Sequence, residues 1–495
     1  MMMRHRKVLL LISVIGSGCA IGPRYQRPVV ETPSTLKELA GNDQWKVAVP
    51  GDSVIKGKWW EIFGDPQLNQ LEEQVSINNQ NIKQAEAEFR QLRASVLAAH
   101  ANYYPSIGSN PGITQTRNFN TRGTNETFSL PAAASWEPDF WGRVRLSVQS
   151  AVADAQVSAA DLENLRLSQQ ALLATEYFLV AAADMQMEVL KSTIEDYSKN
   201  LKLTVDRHAG GVASRSDITL AQTQLSSAQA QLTDMHVTRA QAEHAIAILT
   251  GQMPNSFAIA PTKINGPPPP IPIGIPSQLL ERRPDIAASE RQVASANANI
   301  GLTETAFYPT LTLSASPGFL SSGLATLFNM ASRSWSAGPG MSQTFFDFGR
   351  RGAAVQSVQA SYDATVAGYR ETVLSAFQEV EDDLASLRYL AEEAVQQQQA
   401  VTAAQESLNL EVQRYRAGTD SYLNVITTQI LALGDQQAAI TILQRRMNAA
   451  VDLVKAVGGG WDASTLPSAT DLRSAAPVSP GGNQNVNVTV EKRTQ

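Results

Sequence analysis

Residue types that do chemistry are few in this chain and poorly spaced for it. Among 495 residues there are five histidines and one cysteine. His100, His208, His236 and His244 stand apart from one another, and His5 falls in the leader described below. No His-Glu-x-x-His helix, phosphate-cradling Gly-rich loop, dinucleotide fingerprint or Gly-x-Ser-x-Gly turn occurs. Glu379, Glu381, Asp382 and Asp383 form one dense acidic cluster. With no histidine or cysteine beside it, the cluster suits a solvated or pore-facing helix face better than a metal site. A lone cysteine excludes an intrachain disulfide and a cysteine zinc cluster. A formal charge of −6 supplies no basic footprint for nucleic acid. These residues point away from catalysis, and no metal or cofactor is expected.

Cys19 is the exception, and its chemistry would be acylation. Arg4, Arg6 and Lys7 precede the mostly apolar run from Val8 to Ile15, and Gly16-Ser17-Gly18 lead to Cys19. A charged region, a short apolar run and small residues before a cut site make a secretory signal over residues 1–18. The run is too short to cross a bilayer, which needs about 20 residues. A cysteine after small residues resembles a bacterial lipobox, although Gly16 stands where a larger aliphatic residue is usual. The expected modification is a covalent lipid on Cys19, diacylglycerol plus an N-acyl chain; several chains on one cysteine anchor firmly. An incidental cysteine near a cleavage site is the alternative. Removing the leader takes the formal charge from −6 to −9.

The elements that carry the remainder are long and duplicated. Tyr104-Pro105 recurs as Tyr308-Pro309 at an offset of 204. Trp141-Gly142-Arg143 recurs as Phe348-Gly349-Arg350, and Val148-Gln149-Ser150 as Val355-Gln356-Ser357, both at an offset of 207. Two related units are therefore expected, at 59–265 and 281–462. Between them 266–280 is a proline-rich linker. Residues 19–58 read as an extended tail, and 463–495, rich in Ser, Asn and Gly, as a disordered one. Apolar residues are 43% of the chain and aromatics only 6% of it. The apolar remainder, mostly Ala, Leu and Val, suits long helices packed closely along their length.

Each unit reads helix, strands, very long helix, tip, return helix. Asp65 is a candidate N-cap with Pro66 at the first helical position. Residues 106–135 hold enough chain for two strands, and Thr310-Leu311-Thr312-Leu313-Ser314 alternates as a two-faced strand does. Aromatics gather where helices meet strands: Tyr103, Tyr104, Trp136 and Trp141 in one half, Phe307, Tyr308, Phe346 and Phe348 in the other. A membrane-interface girdle would place them there, and so would packing at helix ends. Residues 141–206 and 350–416 contain no proline. Apolar residues from Val355 to Leu387 recur about every 3.6 positions, as on a helical face. The first tip lies at His208 to Ser214, with Ser216 or Asp217 as a candidate cap of the return helix. The second lies at Ala417 to Ser421, with Asp420 or Ser421 as cap.

These features together resemble the outer membrane factors of Gram-negative bacteria, of the TolC/OprM/NodT type, and within them the lipoprotein branch serving RND-type multidrug efflux pumps. The matching segments are Gly22 to Pro28, Trp59 to Leu68, Ser135 to Arg143, Leu249-Thr250-Gly251, Leu279 to Ile286, Phe345 to Arg350, Arg414 to Val425 and Gly458 to Trp461. The resemblance implies a mainly α fold with a small β part, in two structural repeats of long helices plus strand pairs. It implies a homotrimer in which the strands close one twelve-stranded outer-membrane barrel on a periplasmic α-helical barrel. It further implies a passive duct for drugs or other small toxic molecules. The duct would be lipid-anchored in the outer membrane and joined through a periplasmic adaptor to an inner-membrane RND-type pump. An aperture would lie at Tyr415, Arg416, Asp420 and Asn424, with the first repeat's tip at Arg207, Gly211, Arg215 and Asp217. Where the TolC pattern has an acidic ring, this chain has Asn424 and Thr427, which removes the basis for strong cation preference. Asp420 also reads as a plain helix cap. A type I protein-secretion duct and a non-pore coiled-coil envelope lipoprotein are the competing readings.

Overall fold

The computed structural model describes residues 21–30, 33, 36–38, 57–117, 123–271 and 281–474. The expected leader, Cys19, most of the extended tail, part of the linker and everything after Ser474 lie outside the described residues. Two units of one plan follow each other. The first has α1 (Pro66–Asn78), α2 (Gln80–Ala101), β1 (Ser106–Ser109), β2 (Gly112–Arg117), β3 (Thr124–Trp136), α3 (Arg143–Ala209) and α4 (Arg215–Leu249). The second has α5 (Pro284–Glu304), β4 (Thr310–Ser321), β5 (Arg333–Ser342), α6 (Arg350–Ala417) and α7 (Tyr422–Ala456). A short α8 (Ala469–Arg473) ends the described chain. The fold is thus mainly helical with one small sheet. No helix among the described residues is long and apolar enough to cross a membrane.

Local chemistry explains the helix ends. Asp65 accepts from the backbone N–H groups of Gln67 and Leu68, and Pro66 follows at the first helical position. Asn79 does the same for α2, accepting from Asn81 and Ile82. The long helices α3 and α6 have 67 and 68 residues, which at 1.5 Å per residue is roughly 100 Å each. Both start alike. Gly142 and Gly349 take φ of +80° and +87°, a region open to glycine at little cost. The Asp139 carboxylate accepts from Val144 and Arg145 N–H at 2.9 Å each. Asp347 accepts from Arg351 N–H at 3.2 Å and from its Nε at 2.6 Å. Each carboxylate thereby satisfies otherwise orphaned first-turn donors. The sequence repeat at these positions is a repeated way of turning from sheet into helix.

The sheet is antiparallel throughout. β3 pairs with β1 and β2 along one side and with β4 along the other, and β4 pairs with β5. Of the two strands expected in 106–135, the first is split into β1 and β2. Pro111 lies at the break, where it has no N–H to offer the ladder. Residues opposed across a sheet share a face. Leu313 opposes Trp136 on one side and Pro339 on the other, Phe319 opposes Leu130, and Met341 opposes Leu311. That face is apolar. The other carries Ser314 opposite Ser135, Ser316 opposite Ser336, and Thr310 opposite Ser342. Ile107, Ile113, Trp335 and Met341 are 65–80% exposed, so among the described residues most of the apolar face lies bare.

The main core lies midway along the long helices, where both units meet. Trp59, Leu68, Leu173, Tyr177, Leu384 and Leu453 are fully buried there. Ala174, Ala181 and Ala182 of α3 and Ala449 and Ala450 of α7 let backbones approach closely. The Arg283 side chain, 8% exposed, fastens the second unit's start. It donates to the Ala456 carbonyl at 2.9 Å, to Asp285 at 2.7 Å and to Glu379 at 2.8 Å. Two expectations are corrected here. Of the acidic cluster, Glu379 and Asp382 stay exposed, Asp382 accepting from the Gln378 amide at 3.3 Å. Glu379 holds Arg283, and Glu381 accepts the N–H groups of Lys37 and Glu38 at 2.7 and 3.0 Å. Asp383 is half-buried; burial, then the neighbouring Asp452, Glu379 and Asp382 charges, push it up to about 7. Residues 463–474 are ordered rather than disordered. Ser468 and Asp471 form a capping box, and Leu472 is buried against Val96 and Ala155, which gives this polar stretch an apolar anchor.

The N-terminal segment 21–30 lies along α5. Gly22, at φ +95°, is pressed onto Gly301, where a Cβ would come within 2.5 Å of the Gly301 Cα. Asn297 donates to the Pro23 carbonyl at 3.0 Å, and Tyr25 donates to the Glu290 carboxylate. Ile21 is thereby held at the end of α5 that leads into the sheet.

Replacing Arg283 with alanine orphans the Ala456 carbonyl and leaves Asp285 and Glu379 without their cation. The expected cost is about 2–4 kcal/mol, read as a lowered denaturation midpoint of the purified protein. A midpoint unchanged from the parent would show that this tie does not hold the units together.

Candidate functional site at the helix tips

The turns that end α3 and α6 close alike but re-enter helix differently. Gly211 N–H donates to the His208 carbonyl and Val212 N–H to that of Arg207, both at 2.9 Å, and α6 ends in the same pattern. After α3, Gly211 takes φ +78° and the chain re-enters helix at Ser214. Ser214, not Ser216 or Asp217, is the N-cap. Its hydroxyl accepts from Asp217 N–H at 3.2 Å, and the Asp217 carboxylate accepts from Ser214 N–H at 2.9 Å. This reciprocal pair satisfies two orphan donors. After α6, Gly418 takes φ +81°. Thr419 N–H donates to the Arg414 carbonyl at 3.1 Å and Gly418 N–H to that of Tyr415 at 3.0 Å, as in a glycine-closed helix end. Ser421 occupies the N-cap position of α7 without a side-chain cap bond.

Asp420 sits one residue ahead of that cap. Its carboxylate accepts from Ser421 N–H and from the Asn424 amide, both at 2.7 Å, and pairs with Arg414 at 3.2 Å. Arg414 also reaches Glu411 at 2.9 Å. The Ser421 N–H first, then the Asn424 amide and the Arg414 charge, hold the Asp420 carboxyl below the usual aspartate range. The expected plain cap is therefore a brace across the turn, binding α6 to α7.

Arg207 joins the two turns. Its guanidinium donates to the main-chain carbonyl of Tyr415 and, at 3.5 Å, to that of Arg416. It also lies 4.5 Å above the Tyr415 ring, where the ring quadrupole attracts a cation. The Tyr415 hydroxyl is 3.3 Å from that of Thr204, and its ring stands 5.1 Å from that of Tyr422. Tyr415, Tyr422, Val425, Ile426 and Ala221 form a small core of their own. Burial raises the Tyr422 phenol well above its ordinary range.

Of the expected tip residues, the structure brings Arg207, Tyr415, Asp420 and Asn424 together. Arg416 and Arg215 are exposed, Gly211 serves the turn and Asp217 serves the cap. Arg416 borders an open groove of about 760 Å³ between α3, α6 and α7. Sequence reasoning missed Glu411, Thr204 and Tyr422 as partners. Glu411 stands three residues before Arg414, a spacing that pairs charges on a helix. Thr204 and Tyr422 carry no such local signal, because their partner is reached only through packing.

Comparison with known proteins follows the same duplicated pattern. The model of the family described as "Outer membrane efflux protein" matches residues 71–252 and again 275–459. The two matches begin 204 residues apart and end 207 apart, the offsets of the internal repeat. The chain belongs to the outer membrane efflux protein family. Members are efflux channels of the outer membrane and not enzymes, and that membrane is where this chain resides. It is 30% identical over 445 residues to the pyoverdine export outer membrane protein OpmQ of Pseudomonas aeruginosa, covering 87% of this chain and 94% of that one. It is 28% identical over 477 residues to the solvent efflux pump outer membrane protein SrpC of Pseudomonas putida, covering 93% of this chain and all of that one. Among solved structures it resembles the outer-membrane channel OprN, with a TM-score of 0.83 at 27% identity over 90% of this chain and 100% of that one. It also resembles the MtrE outer membrane channel of Neisseria gonorrhoeae, solved in an open state, with a TM-score of 0.78 at 26% identity over 90% of this chain and 99% of that one.

Because Arg207 links the turns, Arg207→Ala should speed amide exchange over 414–424 several-fold. Exchange unchanged there would make the link incidental. The brace at Asp420 has a pH sign. Its folded-state acidity is lowered, so its stabilisation is complete above the ordinary aspartate value of about 3.9 and is lost as pH falls through the lower folded value. After correction for intrinsic pH dependence, protection of 414–424 should be flat from about pH 5 to 8 and fall below about pH 4. A decline near neutrality would contradict it.

Proposed function

We propose that this protein is the outer membrane channel of a tripartite efflux pump, a passive homotrimeric duct carrying small toxic molecules from the periplasm to the outside. The observation that carries this reading is the sheet. Its apolar face is largely bare, its opposite face is polar, and its β5 edge and its β1/β2 edge have no strand partner among the described residues. A sheet with open edges is unstable in hydrocarbon, and closure among three copies into one twelve-stranded barrel removes the edges. Phe128 and Trp136 lie eight residues apart on the apolar face, roughly 27 Å along a strand; the apolar band of such barrels is about 25 Å tall. The long helices then form the periplasmic tunnel.

The chain divides in this reading into a signal over 1–18, a lipid-anchored tail over 19–58, repeats over 59–265 and 281–462, the linker between them and the segment from 463 onward. Ile21 is held at the sheet end of α5, and two residues span at most about 7 Å, so acyl chains on Cys19 would enter the same membrane. The aperture comprises Tyr415, Arg416, Asp420 and Asn424, closed against Arg207 of the first tip, with Gly211, Arg215 and Asp217 shaping that tip. A periplasmic adaptor and an inner-membrane RND-type pump supply the energy, since nothing in the chain supplies any. The relatives named for pyoverdine export and solvent efflux support small-molecule cargo over secreted protein.

Reconstitution of the purified protein in a planar bilayer tests the duct. Discrete openings are expected, with Asp420→Ala raising open time or conductance several-fold and admitting antibiotics to cells. Folded protein that never conducts, with or without this change, would favour a non-pore envelope lipoprotein. Intact-mass measurement checks the anchor: acyl mass should be present in the parent and absent in Cys19→Ser.

A further inference from the structure

The polar face of the sheet carries no ionisable side chain. The register assigns to it alternate residues of every strand, among them Ser129 and Ser135 of β3, Thr312, Ser314 and Ser316 of β4, and Ser336 of β5. The other positions on that face are small or uncharged, and Leu320 is the one large apolar exception. The charged residues of the strands all fall on the opposite face. Gln115 opposes Glu126, Arg117 opposes Thr124, and Arg333 opposes Phe319, so Arg117, Glu126 and Arg333 cluster at the strand ends away from the helices. The helix tips, by contrast, concentrate Arg207, Glu411, Arg414, Arg416 and Asp420 in two turns.

We propose that the strand-built exit of the duct is electrically neutral and lined by hydroxyls and small residues, so that it passes cationic, anionic and uncharged cargo without discrimination by charge. Selection by charge then belongs to the helical part of the duct, the tips included. The physical ground is simple. A wall bearing one sign of charge concentrates counter-ions and speeds their entry by about 10-fold or more. A hydroxyl wall offers dipoles that reorient toward either sign and holds no fixed field. Such a wall also gives no single cargo a binding site, which suits a pore that must release what it receives. The inference rests on the trimeric-duct reading, which makes the polar face the inner one.

Cysteine accessibility separates the two. The chain has a single native cysteine, Cys19, so Ser314→Cys and Ser316→Cys each add one thiol to the polar face, and Ala315→Cys adds one to the apolar face. Each variant, reconstituted in vesicles, is treated from the extracellular side with a positively and a negatively charged methanethiosulfonate reagent. That side keeps the tips out of the path. Rates are divided by those of each reagent with a free thiol, and the parent gives the Cys19 background. The expected result is reaction at 314 and 316 with normalised rates for the two charges within about 2-fold of each other. They should be insensitive to salt between about 0.01 and 1 M, where the Debye length falls from 30 to 3 Å. Ala315→Cys should react far more slowly. A preference of about 10-fold or more for one charge that collapses at high salt would overturn the neutral exit. So would unreactive thiols at 314 and 316 beside a reactive one at 315. Conductance of the same preparations judges the duct separately: openings together with a charge preference leave the duct standing and remove only this inference, whereas folded protein without openings removes both.

Discussion

Strand edges govern much else in this molecule. β4 is satisfied on both sides, by β3 and by β5, whereas the outer side of β5 and the outer side of β1 and β2 find no strand partner among the described residues. In water such edges are hydrated at little cost. In hydrocarbon each unpaired N–H or C=O costs several kcal/mol. The same strands carry an apolar face with Trp335 and Met341 bare, which water tolerates poorly and lipid favours. A single copy therefore satisfies neither environment, and the proposed closure among further copies would meet both demands together.

The helices answer to that sheet. Each leaves it through a glycine with positive φ and a carboxylate that caps the first turn, Asp139 in one unit and Asp347 in the other. The junction is identical in kind because the geometric problem is identical: a strand must turn sharply into a helix without orphaning its first N–H groups. Along their length the helices pack through alanine, and the middle of the molecule is sealed by buried aromatics and by Arg283, whose three acceptors come from different parts of the chain.

At the tips the two units diverge. The first turn is a self-contained capping box, and it needs nothing from its neighbour. The second is held by a carboxylate, an amide and two arginines, one of them Arg207 from the first unit. A local cap is hard to open without unfolding the helix end. A brace of charged groups between elements can be released group by group, and the N–H, amide and guanidinium donors around Asp420 favour its ionised form. Charge is concentrated in these turns and absent from the polar face of the sheet, so the two ends of the molecule are chemically distinct.

The sequence by itself determined the helical character, the duplication and the two-faced strands. These depend on spacing: alternation in Thr310 to Ser314, a helical recurrence from Val355 to Leu387, and matched Gly142 and Gly349. Such patterns are written along the chain because local geometry repeats at fixed intervals. It also marked Asp65, whose capping role was readable from Pro66 beside it. Only the tertiary structure decided the rest. The split of β1 from β2, the use of Ser214 rather than Ser216 as cap, the burial of Leu472 and the engagement of Glu381 by the segment at Lys37 were not legible. Nor was the seat of Arg207 on Tyr415, two residues 208 positions apart. The reason is physical. A long side chain on an exposed-looking helix end has many equivalent partners in sequence, and it is the packing of one helix against another that removes all but one.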